Sequence, residues 1–83
     1  MIEDKVRKII EGPVNQMGII IDNIVYEKEG NNYFLRIVID SDKIVDVDTC
    51  VEVTHLIDPL LDEADIIKDS YILDISSKER GDK

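Results

Sequence analysis

The sequence holds one cysteine, one histidine and no tryptophan. A lone Cys50 cannot close a disulfide within the chain. It also excludes a zinc or iron–sulfur site built from several cysteines. The plainest role for Cys50 is that of a small buried apolar residue. The four glycines, Gly12, Gly18, Gly30 and Gly81, stand apart. No glycine-rich loop can therefore cradle a phosphate, and no Gly-X-X-Gly clamp can grip an RNA backbone. Basic residues are scarce: 10 Lys and Arg stand against 19 Asp and Glu, a net charge of −9. Phosphate binding rests on clustered Lys and Arg, so strong direct nucleic-acid binding by this domain is not expected. A basic partner is the better electrostatic match. No apolar run nears the ~18–20 residues of a membrane span, so no membrane partner is expected. The start, Met1-Ile2-Glu3-Asp4-Lys5, is acidic and lacks the basic-then-apolar profile of a secretion signal. Together with the single cysteine, this makes the reduced cytoplasm the expected location.

What is present suits one small folded domain. The 83 residues are 43% hydrophobic and 35% charged, which separates them from a disordered tail. Ile2, Val6, Ile9, Ile10, Pro13, Val14 and Met17 fall within an arc of roughly 140° on a helical wheel. They predict an amphipathic helix over about 2–17. Pro13 is expected to kink it, and Gly18 to end it. Residues 19–28 are rich in β-branched types and read as a strand. The run Ile19-Ile20-Ile21 breaks the alternation, so either a bulge or burial on both faces is expected. Glu29-Gly30-Asn31-Asn32 is a turn by composition. Residues 33–40 alternate cleanly, with Tyr33, Leu35, Ile37 and Ile39 on one face. The two strands read as an antiparallel hairpin.

A polar loop over 41–46 follows. Asp46 or Asp48 is expected to cap a second helix that begins near 47. Cys50, Val53, Leu56, Ile57, Leu60, Leu61 and Ala64 share one face of it. Asp48, Glu52, His55, Asp58 and Asp62 share the other. Pro59 is expected to kink this helix or end its regular part early. Residues 71–76 alternate again as a third strand, with Tyr71, Leu73 and Ile75 on one face. The tail 78–83 has no apolar residue and is expected to fray. The fold class is therefore α+β: a two-layer sandwich in α-β-β-α-β order, with two helices on one face of a mixed three-stranded sheet. Its expected core includes Leu35, Ile37, Ile39, Leu56, Ile57, Leu60, Leu73 and Ile75.

The chemistry this sequence can carry is limited. Carboxylates recur at Asp40, Asp42, Asp46 and Asp48. A calcium loop of the EF-hand type needs an oxygen ligand at its fifth position, glycine at its sixth and glutamate at its twelfth. Counted from Asp40, those places hold Ile44, Val45 and Val51. No metal site is expected there. Cys50 and His55 could form a nucleophile–base pair only if they shared a helix face, and they do not. Neither a catalytic residue nor a cofactor is expected. The residues alone reach an acidic α+β interaction domain.

Several segments in order resemble a known family. Pro13 lies in the first helix, which leads through Met17-Gly18 into a strand. Leu35-Arg36-Ile37-Val38-Ile39-Asp40 is similar to the family's Leu-Arg-Val-x-Ile-Asp. Val45-Asp46-Val47-Asp48-Thr49-Cys50 opens the second helix, and Leu56-Ile57-Asp58-Pro59-Leu60-Leu61-Asp62 continues it. Tyr71-Ile72-Leu73-Asp74-Ile75-Ser76-Ser77 is similar to the family's Tyr-x-Leu-Glu-Val-Ser-Ser. Over residues 2–77 the pattern resembles the N-terminal domain of the bacterial ribosome maturation factor RimP. The resemblance implies a non-catalytic domain that helps mature the small (30S) ribosomal subunit. It would bind the immature subunit and a basic small-subunit ribosomal protein. Residues 1–77 are then the single domain, 78–83 a tail, and the family's C-terminal SH3-like barrel is expected to be absent. A monomer is expected. The candidate protein-binding residues are Asp40, Asp42, Asp46, Asp48 and Glu52. The alternative is a stand-alone acidic protein-binding adaptor unrelated to ribosomes.

Overall fold

The computed structural model of the protein describes residues 1–42 and 45–78. Its elements run α1 (Ile2–Gln16), β1 (Ile20–Glu29), β2 (Asn32–Asp40), α2 (Val47–Ala64) and β3 (Tyr71–Ser77). This is the α+β order expected. The tail from 79 onward lies outside the described residues, as do positions 43 and 44 of the loop before α2.

The stripe on α1 closes the fold from one side. Val6, Ile10 and Val14, spaced by four, are fully buried, and Ile2 and Ile9 pack beside them. The helix runs through Pro13 to Gln16. Its end is tied by Met17 N–H to the Val14 carbonyl at 3.0 Å and Gly18 N–H to the Asn15 carbonyl at 2.9 Å. Gly18 then takes φ +81°, which a side chain would disfavour. Met17, expected on the buried stripe, is 37% exposed. It lies past the last turn, where the helix no longer overlies the sheet.

The isoleucine run resolves as a bulge. β1 pairs with β2 antiparallel, and the register jumps between Ile21 and Asn23, opposite Ile39 and Val38. Asp22 is thus the extra residue. A strict two-residue period from Ile19 would turn Ile24 outward. With one residue inserted, Ile19, Ile21 and Ile24 are all buried against the helices. Arg7 of α1 donates from Nη1 to the Ile21 carbonyl beside the bulge, at 3.4 Å. The hairpin closes through Gly30 and Asn31, since Glu29 pairs with Asn32. Gly30 has φ +63° and Asn31 does not, the sign pattern of a type II′ turn that suits strand twist.

β2 is the central strand. β3 joins its other edge in parallel, with Leu35 opposite Leu73 and Ile37 opposite Ile75, giving the order β1-β2-β3. α2 supplies the crossover that parallel neighbours require. It starts at Asp46 and stops at Asp65, whose left-handed backbone (φ 50°) sends its N–H to the Leu61 carbonyl at 3.0 Å. Pro59 does not end the helix early. Five further residues continue it to Ala64, because Pro59 faces solvent and the bond it removes would have used the carbonyl of His55.

Both helices pack on the sheet face that carries Leu35, Ile37 and Ile39. Those three and Ile57 are fully buried, as expected. Leu56, Leu60, Leu73 and Ile75 are only half-buried, and Ala64 is exposed. The two β3 residues lie on an edge strand with no neighbour beyond it. Leu60 lies at the edge of the arc centred on Val53, Ile57 and Leu61, and Ala64 is the last residue of α2. The centre is filled instead from α1 by Val6, Ile10 and Val14, around the bulge by Ile19, Ile21 and Ile24, and from α2 by Val53 and Leu61.

Candidate functional site

Three surfaces stand out: one at the C-terminal end of β2, one beside the start of β3, and one on the outer face of the sheet. The first is the loop and helix start proposed from sequence. Asp40 ends β2, half-buried, and its Oδ1 accepts the Ser41 N–H at 2.8 Å. Ser41 Oγ donates in turn to the Gly18 carbonyl at 3.2 Å, which ties the strand end to the exit from α1. Asp46 is the N-cap of α2: its Oδ1 accepts the Thr49 N–H and the Thr49 hydroxyl, each at 2.9 Å. The backbone bond, then the hydroxyl bond, holds the Asp46 carboxyl below the usual carboxylate range. Asp42, Asp48 and Glu52 are exposed, and none of them forms an ion pair with a described residue. Of the five candidates, then, Asp46 serves the helix and Asp40 a turn, while three present charge to solvent.

Two residues escaped the sequence reading. Val47 is 77% exposed and Val51 47% exposed, on the arc of α2 that also carries Asp48, Glu52 and His55. Their signal was available: they lie four apart, and neither falls in the arc of Val53, Ile57 and Leu61. Around them the charge is of one sign. Residues 46–65 include seven carboxylates (Asp46, Asp48, Glu52, Asp58, Asp62, Glu63 and Asp65) and no Lys or Arg. α1, by contrast, sets Lys5, Arg7 and Lys8 against Glu3, Asp4 and Glu11.

The second surface is a shallow cleft of about 510 Å³ between the outer side of α2 and the segment leading into β3. Thr54, Asp58, Asp62, Asp69 and Tyr71 line it. Burial, then the charges of Asp58 and Asp62, push the Tyr71 phenol above its ordinary pKa. Tyr26 and Tyr33 stack nearby at 5.4 Å, and burial, then Asp69, raises the Tyr26 phenol as well.

The third surface is the sheet face away from the helices. Val25, Phe34 and Val38 lie half-buried on it, with Ile20 55% and Ile72 47% exposed. Arg36 stands at its centre. Its guanidinium forks onto Glu29 (Nη1–Oε2 2.9 Å, Nη2–Oε1 3.3 Å) and also bonds Glu27. Its Nε is 3.7 Å from Asp74, and its Cζ lies 4.7 Å above the Phe34 ring. These contacts span all three strands. The fork holds Arg36 more firmly protonated and the Glu29 carboxyl below its usual range. At the other end, Lys78 reaches across β2 to Asp22 of the bulge, at 3.4 Å.

The remaining sequence candidates do not converge. Cys50 is half-buried toward the core, and burial, then the charge of Asp46, raises its thiol pKa, the opposite of what a thiolate nucleophile needs. His55 stands exposed on the outer arc. Among the described residues, no three His, Cys, Asp or Glu side chains come close enough to hold a metal ion. No helix among them is long and apolar enough to cross a membrane.

The order of elements, the Arg36 strand and the closing Tyr71–Ser77 strand agree with one family model. The model of the RimP N-terminal domain matches residues 9–78, from the middle of α1 to the end of β3. RimP proteins are maturation factors of the small (30S) ribosomal subunit. A match of that extent covers every strand and α2 entire, and the chain belongs to the RimP N-terminal domain family.

Proposed function

We propose that this chain is a non-catalytic interaction domain of cytoplasmic small-subunit maturation, which binds a basic ribosomal protein on the immature subunit. Residues 1–77 act as one monomeric domain in this reading. The binding surface is the end of β2 and the start of α2, with Asp40, Asp42, Asp46, Asp48 and Glu52. The observation that carries it is the seven-carboxylate, cation-free stretch over residues 46–65, with Val47 and Val51 exposed inside it. Carboxylates repel phosphate and attract Lys and Arg, so a basic protein fits this surface where rRNA does not. Charge of this kind acts first on encounter. Association should slow as salt shortens the Debye length toward about 8 Å at physiological ionic strength.

The test reverses Asp42 and Glu52 to Lys, two exposed positions that cap nothing. The double variant should melt no lower than the parent, since Lys at position 52 replaces a like-charge neighbour of Asp48 by an opposite one. It should associate with purified immature small subunits more slowly than the parent, with a shallower salt dependence. An unchanged rate and salt slope would leave this acidic surface as solvated exterior. Asp46 is unsuitable for this purpose, because its loss also weakens α2.

A further inference from the structure

The outer sheet face has a composition that the acidic loop lacks. An interface draws most of its binding energy from a few desolvated aromatic, apolar and Arg anchors, ringed by polar groups. Among the described residues, the loop and the start of α2 expose carboxylates and two valines, Val47 and Val51. The sheet face offers Phe34 and Arg36 in contact, with Val25, Val38 and Ile72 beside them. Among the described residues, no element covers it.

Charge selects the occupant. Three carboxylates, Glu27, Glu29 and Asp74, share the single guanidinium of Arg36, so the centre of the face keeps an excess of negative charge. Counting Asp22, the face presents four carboxylates against Arg36 and Lys78. A nucleic acid would set phosphates against them, and a second copy would set carboxylates against carboxylates. Area gives the same answer. Seven paired positions across three strands make a plane of roughly 14 by 23 Å, on the order of 300 Å². A standard interface takes about 800 Å² from each partner, so two such faces alone would not hold a dimer. The occupant must extend beyond the face, and at its Asp40 end the face runs into the acidic loop and α2.

Resting on the reading above, we infer that the basic ribosomal protein also covers this outer sheet face. Its Lys or Arg side chains pair with the Glu27–Glu29–Asp74 group, and its apolar side chains sit on Phe34, Val38 and Ile72. The loop and α2 then govern how fast the partner arrives, and the sheet face governs how long it stays.

The experiment immobilises the chain and offers purified basic small-subunit ribosomal proteins one at a time, then a 16S rRNA fragment. Ile72→Lys and Phe34→Ala test the face; Asp42→Lys with Glu52→Lys tests the loop. Circular dichroism checks each fold, and Ile72→Ser replaces Ile72→Lys if the charged variant does not fold. One ribosomal protein should bind. The face variants should raise its dissociation rate by about tenfold or more, the effect of losing one anchor. The loop variant should mainly slow association. If the loop variant slows association and the face variants leave dissociation unchanged, the sheet face is bare and only the earlier reading stands. If no ribosomal protein binds, both fall. Binding of the rRNA fragment, or a concentration-dependent dimer, that the face variants abolish would overturn the choice of occupant.

Discussion

Leu35→Ala and Leu73→Ala face each other across the β2–β3 ladder, and the fold predicts unequal costs for the same chemical change. Leu35 is fully buried on the central strand. Truncating it removes three carbons from a closed core, at about 0.8 kcal/mol of transfer free energy each. The residual cavity adds to that, because the neighbours on β1, α1 and α2 cannot all collapse inward. The total should be about 3–5 kcal/mol. Leu73 is half-buried on the edge strand and lines the cleft beside α2. Its truncation widens a cleft already open to the surface, so no closed cavity forms. The cost should be nearer 1–2 kcal/mol, mostly the transfer of partly exposed carbons. Total stability for 83 residues is on the order of 4–12 kcal/mol, so Leu35→Ala removes a large share and Leu73→Ala a small one. Urea unfolding followed by far-UV circular dichroism separates them, provided the m-value is unchanged. Equal losses at the two positions would mean that β3 is sealed against the core. A loss below about 1 kcal/mol at Leu35 would mean that β2 is not the central strand.

Other outcomes follow from the caps, the thiol and the loop. Asp46→Ala should lower stability at neutral pH. Because the folded-state pKa is depressed, the parent's advantage is present above the ordinary carboxylate range and fades as pH falls through the lower folded value, as melting temperatures measured against pH would show. Cys50 should react with an aromatic disulfide reagent far more slowly in the native protein than in urea, since burial disfavours its thiolate; equal rates would place the thiol at the surface. Millimolar calcium should leave the melting temperature unchanged. A saturable rise at micromolar calcium would reveal a site, because a ligand at a hundred times its dissociation constant adds about 2.7 kcal/mol.

Much of this fold was legible because two periods dominate the sequence. The four-residue spacing of Val6, Ile10 and Val14 and the strict alternation of Leu35, Ile37 and Ile39 each allow one buried face. The isoleucine run at 19–21 announced an irregularity but not its kind, since a bulge and two-sided burial leave the same local pattern. Only the pairing of Ile21 and Asn23 with Ile39 and Val38 decides it. Periodicity predicts more burial than Met17, Leu60 and Ala64 show, because a helical wheel marks neither where a helix ends nor how sharply its buried arc stops. Val47 and Val51 were legible by the same period, since their four-residue spacing sets them on an arc apart from Val53, Ile57 and Leu61. Arg36 was legible as outward-facing. Its partners were not, although a two-residue Gly30-Asn31 turn would already have placed Glu27 beside Phe34 and Glu29 beside Asn32. Asp74 needed the β2–β3 register as well, and a parallel register has no local turn to reveal it.

The distribution of charge separates folding from binding. Along α2, Asp48 and Glu52 stand four apart, as do Asp58 and Asp62, and the helix itself contains no Lys or Arg. Like charges at that spacing oppose a helix. The Asp46 cap and the burial of Val53, Ile57 and Leu61 hold α2 against that repulsion. Added salt screens the repulsion and should therefore raise the melting temperature of the free domain. Screening also weakens attraction to a basic protein, so the same salt should slow partner association. Opposite signs for one variable distinguish an acidic binding surface from acidic residues that merely serve the fold. If the carboxylates of α2 stabilised the helix through local pairing, salt would lower both quantities together. The outer sheet face adds the complementary case. Its apolar residues Phe34, Val38 and Ile72 are insensitive to screening, whereas the pairs that Glu27, Glu29 and Asp74 make with partner Lys or Arg are not, so dissociation should quicken with salt less steeply than association slows.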